Sequence, residues 1–150
     1  IEHAGEIAKC AAARVSEEFF RLLRAGAGRK SMELLTQAKL LDVMVPTLAA
    51  WLALPGDDET LARQHKNFWG YLEALDRLTQ RRGAPPTNAL IVATLCMAAL
   101  RDVLDPDAQG VRDLGQRVAE VMAPLVVELK ASRRDTEMGR QILLAMRHTL

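Results

Sequence analysis

Apolar positions along the chain recur at steps of three and four, the spacing that lines one face of an α-helix. Ile7, Ala11, Val15, Phe19 and Leu22 form the first such stripe, which predicts a helix from about Ala4 to Ala25 with that face inward. Gly26 and Gly28 follow and predict its end by left-handed capping, a conformation that glycine enters without a Cβ clash. A second helix is predicted over about Ser31 to Ala38. Pro46 suits the first turn of a third, reaching about Leu54, because an N–H there has no helical partner to lose. Pro55-Gly56-Asp57-Asp58 reads as a turn, with Asp58 or a neighbour capping the next helix.

The fourth helix is long, about Glu59 to Arg81. Acids at its start and Arg77, Arg81 and Arg82 at its end complement the helix dipole. Gly83-Ala84-Pro85-Pro86 breaks it and Thr87 caps a fifth, to about Leu104. Ala89–Leu100 is apolar on nearly every face, so this helix is expected at the centre of the core. Asp105-Pro106-Asp107 predicts a tight turn. A sixth helix follows from about Asp107 to Ala131, kinked or split near Met122 because Pro124 removes a hydrogen bond from its interior. Ser132-Arg133-Arg134-Asp135 has capping-box spacing and opens a last helix to about His148, with Met138, Ile142 and Met146 as its stripe. The pattern predicts one all-α domain of about seven helices, with no fixed-period repeat.

Composition agrees. Of 150 residues 49% are hydrophobic but only 4% aromatic, so the core is Ala/Leu-rich rather than built from the β-branched and aromatic residues that favour strands. The net charge of +1 conceals polarity along the chain. Between residues 20 and 40, Arg21, Arg24, Arg29, Lys30 and Lys39 face Glu33 alone; between 101 and 128, acids outnumber arginines. A local polyanion site is therefore compatible with a nearly neutral whole. Cys10 and Cys96 are too few for a disulfide framework and are expected to pack as small hydrophobes in a reducing cytoplasm. The longest apolar run, Ala89–Leu100, falls short of the ~20 residues a membrane span needs. The chain opens on Ile1 without an initiator methionine, which predicts a piece of a longer protein.

Little in the sequence carries chemistry. His3, His65 and His148 lie on separate predicted helices with no Cys or carboxylate at zinc-ligand spacing. No Gly-x-Ser-x-Gly, Walker loop or His-Glu-x-x-His occurs. Gly26-Ala27-Gly28 follows a helix rather than a strand and reads as a cap. Trp51, Phe68, Trp69 and Tyr71 sit at helical spacing among apolar neighbours and read as core. Three basic sets are candidate phosphate contacts: Arg24, Arg29 and Lys30; Arg77, Arg81 and Arg82; Lys130, Arg133, Arg134 and Arg140. Solvated faces and helix-end charges are the plain alternative for all three. Without aromatic platforms, such a surface would read backbone charge and shape rather than bases.

One segment resembles a known family. Arg14, Val15, Glu18, Arg21, Leu22, Leu23, Gly26, Leu34, Leu35, Leu40, Leu41 and Pro46 fall into the pattern found just past the catalytic head of bacterial poly(A) polymerases and CCA-adding tRNA nucleotidyltransferases. The stretches Arg81–Leu90 and Ser132–Leu144 look like the body of the poly(A) polymerase branch, more loosely. The resemblance implies a neck-like segment over residues 1–54, which contacts a catalytic head outside this sequence, and an RNA-binding body over 55–150. Arg14 and Glu18 would support the head, although residues four apart on a helix also form plain surface ion pairs.

RNA would be held by Arg24, Arg29, Lys30, Arg81, Arg82, Arg133, Arg134 and Arg140, while the head adds AMP from ATP with Mg²⁺. The head's Gly-Gly, Arg-Arg-Asp and Glu-Asp-x-x-Arg signatures are absent here. Asp105-Pro106-Asp107 mimics its metal-binding Asp-x-Asp pair, but two-metal phosphoryl transfer needs a nucleotide-positioning scaffold as well. The fragment alone is expected to have no catalytic residue, metal or cofactor. A ligand-binding and dimerisation domain of a helical transcription regulator is the alternative from another class, and would show an apolar pocket with a few polar groups.

Overall fold

Local punctuation sets most of the helix ends, and side chains reaching in from distant helices set the rest. A computed structural model describes residues 2–104 and 111–146, with side chains over 13–101 and 114–146. Among the described residues there are eight α-helices and no strand: α1 (Glu2–Arg24), α2 (Gly28–Gln37), α3 (Leu41–Met44), α4 (Pro46–Ala53), α5 (Glu59–Arg82), α6 (Asn88–Leu104), α7 (Val111–Glu128) and α8 (Arg133–Met146). The chain is all-α, as its pattern predicts. The Asp105-Pro106-Asp107 turn lies outside the described residues, as do the side chains of Cys10, His3 and His148.

The local caps form where expected. Asp58 accepts a hydrogen bond from the Thr60 amide at 2.9 Å, Thr87 from Leu90 at 3.2 Å and Ser132 from Asp135 at 3.0 Å. Gly26 (φ 83°) and Gly83 (φ 63°) end α1 and α5 in the left-handed conformation. Lysine takes the same role twice. Lys39 (φ 58°) follows α2, with its own amide on the Thr36 carbonyl at 3.2 Å and that of Leu40 on Leu35 at 3.0 Å. Lys130 (φ 55°) follows α7 with the same pair of bonds, to Val127 and Val126. Both are complete Schellman ends. After the first, Leu41–Met44 makes the one-turn α3, which brings the helix count to eight.

Helix α6 is central. Ile91, Val92, Leu95, Cys96 and Leu100 are buried, and α5, α7 and α8 pack around it. Gly139 brings α8 against α6, since a Cβ there would lie 3.3 Å from both the Ala89 carbonyl oxygen and the Met122 methyl. That approach centres the inward face of α8 on Gly139 and Leu143, so Met138, expected in the stripe, is 41% exposed. A similar rotation affects α1. Ser16, Phe19, Phe20 and Leu23 face inward while Val15 stays at the surface, because the Ser16 hydroxyl turns toward the Glu128 carbonyl at 3.5 Å. Helix α7 is one continuous helix through Pro124 and is not split near Met122.

The first four helices are held to the body by two carboxylates. Helix α2 has Ala27 at its N-cap and α4 has Val45, so neither has a capping side chain of its own. Asp76, buried on α5, accepts from the Gly28 amide at 2.7 Å and the Arg29 amide at 3.0 Å. Glu128, at the end of α7, accepts from the Thr47 amide at 2.7 Å and also from the Thr47 hydroxyl. Gly28 is therefore not a cap of α1. It is buried in the first turn of α2, where a Cβ would stand 3.0 Å from Asp76 Oδ1 and 3.1 Å from Leu23.

Removing the carboxylate would leave two amides without partners. Asp76→Ala should cost about 2–3 kcal/mol in chemical denaturation, with Asp76→Asn intermediate. An unchanged denaturation midpoint in both variants would show that the carboxylate does not hold α2. Lys39→Gly should instead stabilise by about 0.5–1 kcal/mol, because relief of the left-handed strain exceeds the added entropy of the unfolded chain. A lower melting temperature for that variant would contradict the αL assignment.

Candidate nucleic-acid interface

The directions of the helices gather the charges. Tyr71 meets Arg101 at 2.9 Å while Leu78 and Leu90 line one cleft, so α5 and α6 are antiparallel. Gly139 lies at Ala89 while Met146 shares a cleft with Met97, so α8 runs parallel to α6. The end of α5 and the starts of α6 and α8 therefore lie at one end of the body. Helix α1 crosses this end, from Glu128 at Ser16 to the start of α6, where Arg24 donates to Asn88 Oδ1 at 3.3 Å. Gln80 of α5 fixes the following turn through the Gly26 carbonyl at 3.3 Å.

Five of the candidate arginines lie at this end. Arg24 closes α1, Arg81 and Arg82 close α5, and Arg133 and Arg134 open α8. Arg81, Arg82, Arg133 and Arg134 are exposed and have no ion-pair or hydrogen-bond partner among the described residues. The first turns of α6 and α8 also point amide hydrogens outward at this end, which adds positive potential. Lys30 is exposed beside it on α2 and likewise has no partner among the described residues.

The other candidates are engaged elsewhere. Arg29 bridges Glu33 at 3.3 Å and Glu73 at 2.7 Å, which ties α2 to α5. Arg77 faces Glu73 at 3.8 Å. Arg140 donates from two nitrogens to Glu137, at 3.0 and 3.2 Å. That pairing holds the Glu137 carboxyl below the ordinary range and raises the Arg140 guanidinium further. The i,i+4 pair of Arg14 with Glu18 does not form. Glu18 takes Arg21 instead at 3.7 Å, and both groups stay largely solvated, so the contact contributes little.

Three of the aromatic residues pack against one another. Phe68 is fully buried, Trp51 and Trp69 pack edge-on against it, and His65 is fixed by the Trp51 carbonyl at 2.9 Å. Burial pushes the Cys96 thiol up to about 12, so it packs as an inert hydrophobe. Among the described residues no cluster of His, Cys, Asp or Glu could hold a metal ion, and no helix is long and apolar enough to cross a membrane.

Among the described residues are three clefts of about 220–230 Å³. Two are mainly apolar, one between α5, α6 and α8 and one beside Trp51 and Cys96. The third borders the basic end, between Arg82, Pro85, Pro86, Thr87, Leu90 and Ile142. Sequence reasoning missed it because Ile142 of α8 closes it against the α5–α6 corner, a contact that no local pattern signals. It also missed Asp76, whose position in mid-helix gives no sign that its carboxylate caps another helix.

No curated protein and no solved structure matches this chain. Residues 1–52, which run from α1 almost to the end of α4, match the family described as "Probable RNA and SrmB- binding site of polymerase A". The N-terminal third is thus similar to an RNA-binding region of poly(A) polymerase type.

Proposed function

We propose that this chain is the RNA-holding neck and body of a template-independent nucleotidyltransferase, a poly(A) polymerase that adds AMP from ATP to RNA 3′ ends in the cytoplasm. The observation that carries the proposal is that Arg81, Arg82, Arg133 and Arg134 lie at the same end of the body as Arg24, which belongs to a segment similar to a polymerase RNA-binding region. Such a surface takes RNA through its phosphates, independent of sequence. The "polymerase A" description favours poly(A) addition over CCA addition. Residues 1–54 would meet the catalytic head through the exposed face of α1 that carries Arg14 and Glu18. Residues 55–150 would form the body.

In this reading ATP and Mg²⁺ are held by the catalytic head; among the described residues no cluster of His, Cys, Asp or Glu could hold a metal ion. The apolar cleft between α5, α6 and α8 is the feature that a ligand-sensing regulator would need. Its polar groups are only two: Thr94, which donates to the Leu90 carbonyl at 2.7 Å, and Tyr71, whose hydroxyl accepts from Arg101 at 2.9 Å. A ligand there would find little to orient it.

Two measurements test the proposal. In titrations against single-stranded RNA, every phosphate that the protein ceases to neutralise should reduce the slope of log K against log salt by about 0.7. Arg133→Ala/Arg134→Ala should therefore weaken binding to all sequences about equally and flatten the salt dependence. Unchanged affinity and slope in a folded double variant would remove these arginines from the interface. The chain by itself should also incorporate no AMP when given ATP, Mg²⁺ and RNA. Incorporation that is abolished on changing Asp105 or Asp107 would relocate the catalytic centre into this sequence.

A further inference from the structure

The cleft at the basic end differs from the other two in its rim. Leu78, Pro85, Pro86, Leu90 and Ile142 give it apolar walls, and Arg82 is the one charged residue that lines it. Leu78 is 38% exposed although it lies beside the arginines, so apolar surface and positive charge meet at one opening. The polar groups in the walls are turned to their own helices. Thr79 donates to the Leu75 carbonyl at 2.9 Å, and the Thr87 hydroxyl accepts from the Leu90 amide at 3.2 Å. What remains is a slot of about 230 Å³ with apolar faces and one planar cation at its mouth.

A single-stranded nucleotide has matching chemistry: a flat, weakly polar base joined to a phosphate. Bases of unpaired RNA are commonly held between apolar side chains or against guanidinium planes. We propose that this cleft receives one unstacked base of a single-stranded RNA while Arg81 and Arg82 hold the adjoining phosphates. The inference rests on the RNA-binding reading above and deepens it. With mainly apolar walls and only two hydroxyls among them, the slot has few groups that could read base edges and accepts purines and pyrimidines alike. A duplex keeps its bases stacked and offers only its phosphates, so the cleft makes the surface selective for single strands.

The test compares three probes of equal phosphate number by fluorescence anisotropy with the complete chain. They are a mixed-sequence oligoribonucleotide, the same chain without bases, and a blunt RNA duplex. The intact single strand should bind roughly tenfold more tightly than the abasic chain, the scale of one stacked base. The two single strands should share one salt slope, because their phosphates are the same. Arg82→Lys keeps the charge but removes the planar group, and should lower the preference for bases without changing that slope. Ile142→Phe, which narrows the slot, should abolish the preference while the abasic chain binds as before.

Equal affinity for intact and abasic strands, or for the duplex, would overturn the base-binding cleft and leave a purely phosphate-reading surface. If none of the three probes bound, the RNA-binding reading itself would fall.

Discussion

The arrangement of the chain depends on one carboxylate in an unusual place. A helix start leaves several amides without partners, and most helices satisfy one of them with a local Ser, Thr, Asp or Asn. Helix α2 begins after Ala27 and has no such residue. Asp76 supplies the acceptor from α5, forty-eight residues away, and places its charge at the positive end of the α2 dipole. The tight fit around Gly28 makes the contact specific, since any larger residue would press on the carboxylate. Glu128 serves α4 in the same way. Short helices of eight to ten residues are marginal alone, so these two contacts decide where the first third of the chain sits.

The residues that gather positive charge do so because of where helices end. Arg24, Arg81 and Arg82 sit in last turns, where they offset the negative end of the dipole, whereas Arg133 and Arg134 stand in the first turn of α8, against it. Antiparallel and parallel helices then set the α1 and α5 ends and the first turns of α6 and α8 at one end of the body, and the two groups of arginines with them. Arg29 and Arg140 show the other fate of a surface cation. Both sit within reach of a glutamate on their own helix and are held by it. A glutamate within reach, three or four residues along the same helix, therefore separates a cation already engaged from one open to solvent.

Much of this was legible in the sequence. Caps at Asp58, Thr87 and Ser132, the glycine ends at 26 and 83, and the buried character of α6 all follow from local patterns, and all are present. The misreadings share a cause. Val15 and Met138 carry the right periodicity, but the inward face was turned by a tertiary contact, Ser16 with Glu128 in one case and Gly139 with Ala89 in the other. Lys39 and Lys130 stop helices in a conformation usually signalled by glycine, so no composition rule marks them. For the candidate site, the arginines were visible as charge runs, but their meeting at one end and the cleft beside them required the path of α1 across the body. Asp76 was invisible, because nothing local distinguishes it from a solvated helix acid.

The two carboxylate contacts also bear on how the chain can be divided. The stretch similar to the polymerase family ends at residue 52, close to the end of α4, and by sequence this resembles a module border. The physical seam runs elsewhere. Phe19, Met32, Leu41 and Leu48 share one continuous core with Leu72, Ile91 and Leu125, and both caps cross residue 52. A cut there would strip α2 and α4 of their acceptors and expose the core surface that they cover. The end of the matched stretch thus passes through one continuous core, and a graft of residues 1–52 onto another protein would have to carry an equivalent of Asp76 and Glu128 with it.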